Sequence, residues 1–172
     1  MEEARVWAPN YYDVICFDAR ELAVREAYIR ANPKRWALRD VPQGVFRQSR
    51  YKGNLELLRK AEPCRALRVS RKETESGIAR LQSELATFTG LVCSTFFSPG
   101  ERACLQSLQK GKAKIVWVLP MAMPERIPVS WTDAFLENRA LWLSAFPDDQ
   151  KDATRQSCHR ANGWVQAFCV PE

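Results

Sequence analysis

From about residue 54 onward, short apolar runs alternate with longer stretches whose apolar residues recur three and four positions apart. The runs "RALRVS" (65–70), "LVCSTFF" (91–97), "AKIVWVLP" (113–120) and "ALWLSAF" (140–146) have the length of strands. The third is apolar almost throughout, the mark of a parallel strand covered on both faces. Helical stretches lie between them. One carries Ile78, Leu81, Leu85 and Phe88 and ends at Gly90. Another opens at Ser98-Pro99-Gly100-Glu101, with Ser at the N-cap, Pro at the first helical position and Glu closing a capping box, and ends at Gly111. A third follows a Pro-rich turn and runs from Ser130 to about Asn138. A last helix sets Cys158, Ala161, Val165 and Phe168 in register. This alternation predicts an α/β fold: a Rossmann-like parallel sheet of about four to five strands with flanking helices.

The first third follows a different pattern. Asp18-Ala-Arg-Glu21 pairs an N-cap Asp with a Glu three residues on. Val24, Ala27, Tyr28 and Ala31 follow as the stripe of an amphipathic helix, and Asn32-Pro33 marks its expected stop. Residues 38–53, "LRDVPQGVFRQSRYKG", hold turn residues without a clear period and read as a basic linker. The expected organisation is a small helical extension (1–37), a linker (38–53) and an α/β domain (54–172).

No apolar run approaches the roughly 18 residues of a membrane span, and no secretory-signal pattern opens the chain. A cytoplasmic protein without a membrane partner is expected. Its six cysteines (Cys16, Cys64, Cys93, Cys104, Cys158, Cys169) form no C-x-x-C pair, and His159 is the only histidine. Reduced, buried, separate thiols are therefore expected, with no metal site and no cofactor.

Charge changes the picture more. Residues 25–72 hold fourteen Lys/Arg against four Asp/Glu, so the rest of this +6 chain is net acidic. Tyr28, Trp36, Phe46 and Tyr51 lie within that basic stretch. Cations interleaved with rings suit a nucleic-acid surface, where phosphates pair with charge and bases stack on aromatics. A solvated basic face is the equally open alternative. In a parallel sheet, ligands bind beyond the carboxyl ends of the strands. Two loops there stand out: Ser70-Arg71-Lys72 after the first strand and Ser98-Pro99-Gly100 after the second. Neither a G-x-G-x-x-G nor a Walker-type phosphate loop occurs.

Two resemblances bear on function. Trp7-Ala-Pro-Asn-Tyr11-Tyr12-Asp13, followed by Tyr28-Ile29-Arg-Ala-Asn32-Pro33-Lys-Arg-Trp36, resembles the C-terminal end of the single-tyrosine HUH transposases of the REP-associated and insertion-sequence kinds. By that resemblance Tyr11 takes the position of the nucleophile that attacks a DNA phosphate, and Tyr12 a variable aromatic position. The family's His-hydrophobic-His metal motif is missing, so the resemblance implies a divalent metal only in partnership with an HUH domain. Residues from about 53 to 172 resemble the Rossmann-like domain of the DNA-processing protein A (DprA) family. The matching stretches are Gly53-Asn54-Leu55, Val69-Ser70-Arg71-Lys72, Ser98-Pro99-Gly100-Glu101, "KAKIVWVLP" and Asn162 in "RANGWVQAFC". In place of that family's arginine-bearing turn stands "STFFSPGERA", and Gly163 follows the Asn.

Together these imply a mobile-element-derived, transposase-related and DprA-like protein that binds single-stranded or hairpin DNA without catalysis by this chain alone. The DNA-binding set they imply is Lys34, Arg35, Arg50, Lys52, Arg71, Lys72, Ser98, Arg155, Arg160 and Asn162. A second copy or an upstream transposase fragment is the protein partner expected. The alternatives are an enzyme binding a nucleotide or phosphoribosyl ligand, and a subunit supplying Tyr11 to a separate HUH nuclease.

Overall fold

The computed structural model describes residues 18–59 and 64–169. The chain divides into two compact units, Met1–Pro33 and Lys34–Glu172. The first is described from Asp18, whose carboxylate accepts the Glu21 N–H at 2.7 Å and so opens the helix α1 (Ala19–Ala37) as expected. Its predicted apolar stripe is not a core face: Val24 and Tyr28 are both exposed. The helix also runs four residues past the expected stop, with Pro33 inside it. Proline removes one N–H from the ladder without preventing the turns that follow. The last turn already belongs to the second unit, within which Lys34 reaches Asp133 at 2.7 Å and Leu38 packs on the core.

That unit is built on a six-stranded sheet. Its strands are β1 (Gln43–Phe46), β2 (Ser49–Gly53), β3 (Cys64–Ala66), β4 (Leu91–Ser94), β5 (Lys114–Val118) and β6 (Ala140–Ser144), in the order β1-β2-β6-β5-β4-β3. β3 to β6 run parallel and lie in chain order, while β1 and β2 add antiparallel beside β6. The α/β reading holds, with a parallel portion of four strands.

The linker reading of 38–53 does not hold. Those residues form a short 3-10 turn (Leu38–Asp40) and the β1–β2 hairpin. Arg47 and Gln48 turn the hairpin at φ 46° and 65°, a left-handed pair usually marked in sequence by Asn or Gly. β2 then closes on β6 through Gly53, whose φ is 110°, and a Cβ added there would lie 2.3 Å from the Ala140 carbonyl oxygen.

Helices α2 (Glu75–Thr87), α3 (Pro99–Lys110) and the short α4 (Thr132–Leu136) cover one face, and α5 (Arg155–Cys169) covers the other. The strands serve both layers by alternation. Val92, Ile115 and Trp142 join Leu85, Cys104, Leu108 and Phe135, whereas Cys93, Val116 and Leu141 join Leu57, Ala161 and Val165. Trp131 stacks on Trp117 with centroids 5.3 Å apart and planes 2° off parallel, and Trp142 meets both edge-on. Among the described residues, no helix is long and apolar enough to cross a membrane.

β4 and β6 end three and two residues earlier than their apolar runs. The same device ends both: the hydroxyls of Ser94 and Ser144 accept the N–H two residues on, from Phe96 and Phe146, at 3.2 Å. Such side-chain bonds compete with the ladder and turn the chain outward.

Candidate nucleic-acid interface

Of the four loops that leave the carboxyl edge of the parallel strands, those after β3, β4 and β6 concern the site. The last must pass beneath the sheet, because α5 packs on the opposite face against β3 and β4. The N-termini of α3 and α5 consequently approach the same edge from opposite faces. Between them lies a crevice of about 860 Å³ lined by Arg68, Arg71, Ser98, Arg155, His159 and Asn162, with the half-buried ring of Phe97 at its wall.

The loop after β3 keeps one ladder bond, from the Leu67 N–H to the Cys93 carbonyl at 2.9 Å, and is otherwise fixed by side chains. Ser94 donates to the Leu67 carbonyl at 2.7 Å, and Ser98 donates to the Val69 carbonyl at 3.2 Å. The next turn is tightened by the Ser70 hydroxyl, which accepts the Lys72 N–H at 3.1 Å. These bonds hold Arg68 and Arg71 outward at the rim, both exposed. Across the crevice, Thr154 and Ser157 cap α5 reciprocally, each hydroxyl accepting the other's N–H at 3.1 and 2.9 Å. Arg155 sits in that first turn, where helix N–H groups lack partners within the helix and the dipole favours an anion.

The floor is acidic. Glu101, 7% exposed, accepts the N–H of Phe97 at 2.9 Å and of Ser98 at 3.4 Å, and the Thr95 hydroxyl at 3.2 Å. The expected capping box is present, Ser98 accepting the Glu101 N–H at 3.2 Å. Ser98 thus uses its hydroxyl within the fold as both donor and acceptor, and the donors ahead of α3 face a carboxylate. An anion here meets guanidinium groups and the start of α5, not the start of α3. Burial pushes the Cys158 thiol up, against the pull of the nearby Arg71 cation.

The expected set divides. Arg71, Ser98, Arg155 and Asn162 come together in the crevice, with Lys72 exposed on the adjoining turn. Arg68, Phe97 and His159 join them, although neither charge pattern nor motif had singled them out. Arg68, Arg71 and Arg155 form no ion pair among the described residues. Elsewhere several of the cations are engaged. Lys34 pairs with Asp133, Arg50 with Asp148, Arg59 with Glu56 and Arg65 with Glu84. Lys52 is 8% exposed and donates to the carbonyls of Pro124 and Glu125 at 3.0 and 2.9 Å. Burial lowers its pKa, with Glu125 opposing, and its role is to hold a loop. Arg35 lies by a separate depression with Arg39 and Arg126, and Arg160 covers the Phe146 ring at 5.6 Å. The basic stretch is therefore no continuous surface. Tyr11 and Tyr12 lie outside the described residues.

The cysteines are less scattered than expected. The sulfur atoms of Cys64, Cys93 and Cys169 all lie within 4.8 Å of one another. β3 and β4 pair in a register that sets Cys64 opposite Leu91, two residues from Cys93 on the same face, and α5 delivers Cys169 onto that face. Spacings of 29 and 76 residues hide this grouping from any motif.

No family model matches the sequence, and no curated protein or solved structure is significantly similar to it.

Proposed function

We propose that this chain binds single-stranded or structured DNA, holding backbone phosphates with Arg68, Arg71 and Arg155 in the crevice over the carboxyl edge of β3 and β4. The observation that carries the reading is this convergence: three exposed guanidinium groups from a loop and a helix start more than eighty residues apart, none spent on a carboxylate among the described residues. Guanidinium groups pair with phosphate oxygens in two-pronged, charge-assisted bonds. Lys72 adds charge at the rim, Asn162 offers polar contacts, and the Phe97 ring supplies a face on which a base stacks.

The mobile-element reading belongs to the same proposal. The Tyr11 segment and the Asn32-Pro33 signature support descent from a single-tyrosine transposase, and the crevice lies where DprA-like domains take DNA. In this reading the chain works in the cytoplasm and binds without cleaving. A tyrosine hydroxyl needs a base or a metal beside it to attack a phosphate. The crevice's volume also suits a nucleotide, which keeps the nucleotide-binding enzyme as the second reading.

A polarisation titration with a fluorescein-labelled oligonucleotide at about 50 mM salt tests the proposal. Saturable binding is expected, weakened in Arg71→Ala/Arg155→Ala. Absence of binding by the folded protein overturns it. Thermal stabilisation by a mononucleotide without oligonucleotide binding favours the second reading.

A further inference from the structure

Cys64, Cys93 and Cys169 occupy the end of the sheet's other face, beneath α5 and away from the crevice. Cys93 is fully buried in β4, and Cys64 and Cys169 are half-buried at the start of β3 and the end of α5. Leu57, Leu58, Leu91, Val116 and Phe168 surround the Cys64 and Cys93 sulfurs and line a cavity of about 50 Å³ there. Cys169 Sγ lies 2.9 Å from Cys64 Sγ. Three thiols rarely meet in an apolar environment by packing alone, because a buried thiol is satisfied by any small apolar neighbour.

The geometry points to a metal site: we propose that Cys64, Cys93 and Cys169 bind one cuprous ion through their three sulfur atoms. Soft thiolates favour Cu(I), zinc and iron–sulfur clusters over harder ions. With metal–sulfur bonds of about 2.3 Å, three sulfurs around a central ion stand roughly 4 Å apart, between the closest and farthest separations found here. Small rotations of the three side chains suffice. The donor set argues against the commoner alternative. Structural zinc takes four ligands, and among the described residues no His, Asp or Glu joins these three. An all-sulfur, low-coordinate site in an apolar pocket suits a soft ion that accepts three ligands and needs no bound water.

Cu(I) displaces the thiol protons to solvent, forming copper–sulfur bonds without change in oxidation state. Metal binding and proton release are linked, and affinity rises with pH.

The test uses the full chain, reduced and held anaerobically. Cu(I), supplied as its acetonitrile complex, is titrated in competition with bicinchoninate, and the ultraviolet thiolate-to-copper band is followed. One ion per chain is expected, with Cys64→Ser and Cys169→Ser each weakening binding by about a hundredfold or more, beyond the range of about 10–100-fold seen for loss of a partner that only supports a ligand. Cys104→Ala, in the opposite core layer, is expected to retain it. Cys93→Ser risks unfolding, so the two half-buried positions carry the result. No copper held against the competitor, unchanged binding in Cys64→Ser/Cys169→Ser, or retention of Zn(II) but not Cu(I) each overturns the assignment.

Discussion

The Glu101 carboxylate accepts the backbone N–H of Phe97 at 2.9 Å, closing the loop between β4 and α3 onto the first turn of the helix it precedes. This bond places a negative charge on the floor of a crevice whose rim is cationic. Fold and function therefore pull in opposite directions at this position. Glu101→Gln keeps one acceptor oxygen but turns an amide N–H₂ toward groups that also donate. Such a mismatch costs about 2 kcal/mol. A fall in Tm of about 4–8 °C is expected for a chain of this size. The same substitution removes the carboxylate's repulsion and is expected to tighten oligonucleotide binding at low salt. Scanning calorimetry beside a polarisation titration reads both; weaker binding in a folded variant contradicts the phosphate assignment.

Arg139 anchors the far end of α3. It is 7% exposed and donates to the carbonyls of Leu108, Gln109 and Ala113 at 3.2, 2.7 and 3.3 Å, while its Nε meets Glu137 at 2.7 Å. A cation here caps orphan carbonyls and complements the negative end of the helix dipole. Arg139→Met leaves three acceptors without their donor and is expected to cost about 3 kcal/mol by urea denaturation. A loss below about 1 kcal/mol shows that water replaces the guanidinium freely.

Acid should weaken the fold modestly. Hydrogen bonds from Arg65, Lys34 and Arg139 hold the carboxyls of Glu84, Asp133 and Glu137 below their ordinary values. Groups depressed in the folded state stabilise it above the unfolded pKa, and that contribution is lost as pH falls through the folded value. Tm should be level down to about pH 5 and decline below the ordinary glutamate value of 4.5. All three carboxylates are exposed enough for water to screen them, so the decline is shallow. Glu137→Gln should flatten part of it; an identical acid profile means that pair contributes nothing.

Gly163 sits exposed in α5, with nothing within 4 Å of an added Cβ. Gly163→Ala is expected to stabilise the protein by about 0.5–1 kcal/mol, since glycine loses the most freedom in a helix. It should leave oligonucleotide affinity unchanged. Lower stability in thermal melts contradicts the helical placement of this segment.

How much was legible depended on whether a local rule or a distant contact set the outcome. Ser98 and Glu101 announced their capping box because both partners lie within one turn. The apolar run at 113–120 announced a covered central strand because neighbours on both faces demand it. The β1–β2 hairpin was illegible for the converse reason. Residues 43–45 are exposed, so no burial alternates along them, and Arg47-Gln48 make a left-handed turn without glycine or asparagine. Pro33 misled by a rule that holds on average; α1 passes through it. For the site, placing Ser70-Arg71 and Ser98 at one edge followed from parallel topology alone. Arg68 was hidden because it shares its sign with a dozen neighbours, and only three-dimensional pairing shows which of them carboxylates have taken. Cys64, Cys93 and Cys169 meet through strand register and helix docking, which spacing does not encode.

The most direct measurement of the central claim is the salt dependence of single-stranded DNA affinity, wild type against Arg71→Ala/Arg155→Ala. Each phosphate contact on a single strand contributes about 0.7 to the slope of log affinity against log salt. Loss of two contacts should flatten that slope by about 1.4 and weaken binding alike for every sequence tested. An unchanged slope and affinity in the folded double variant contradicts the account, and the crevice is then not where the chain meets DNA.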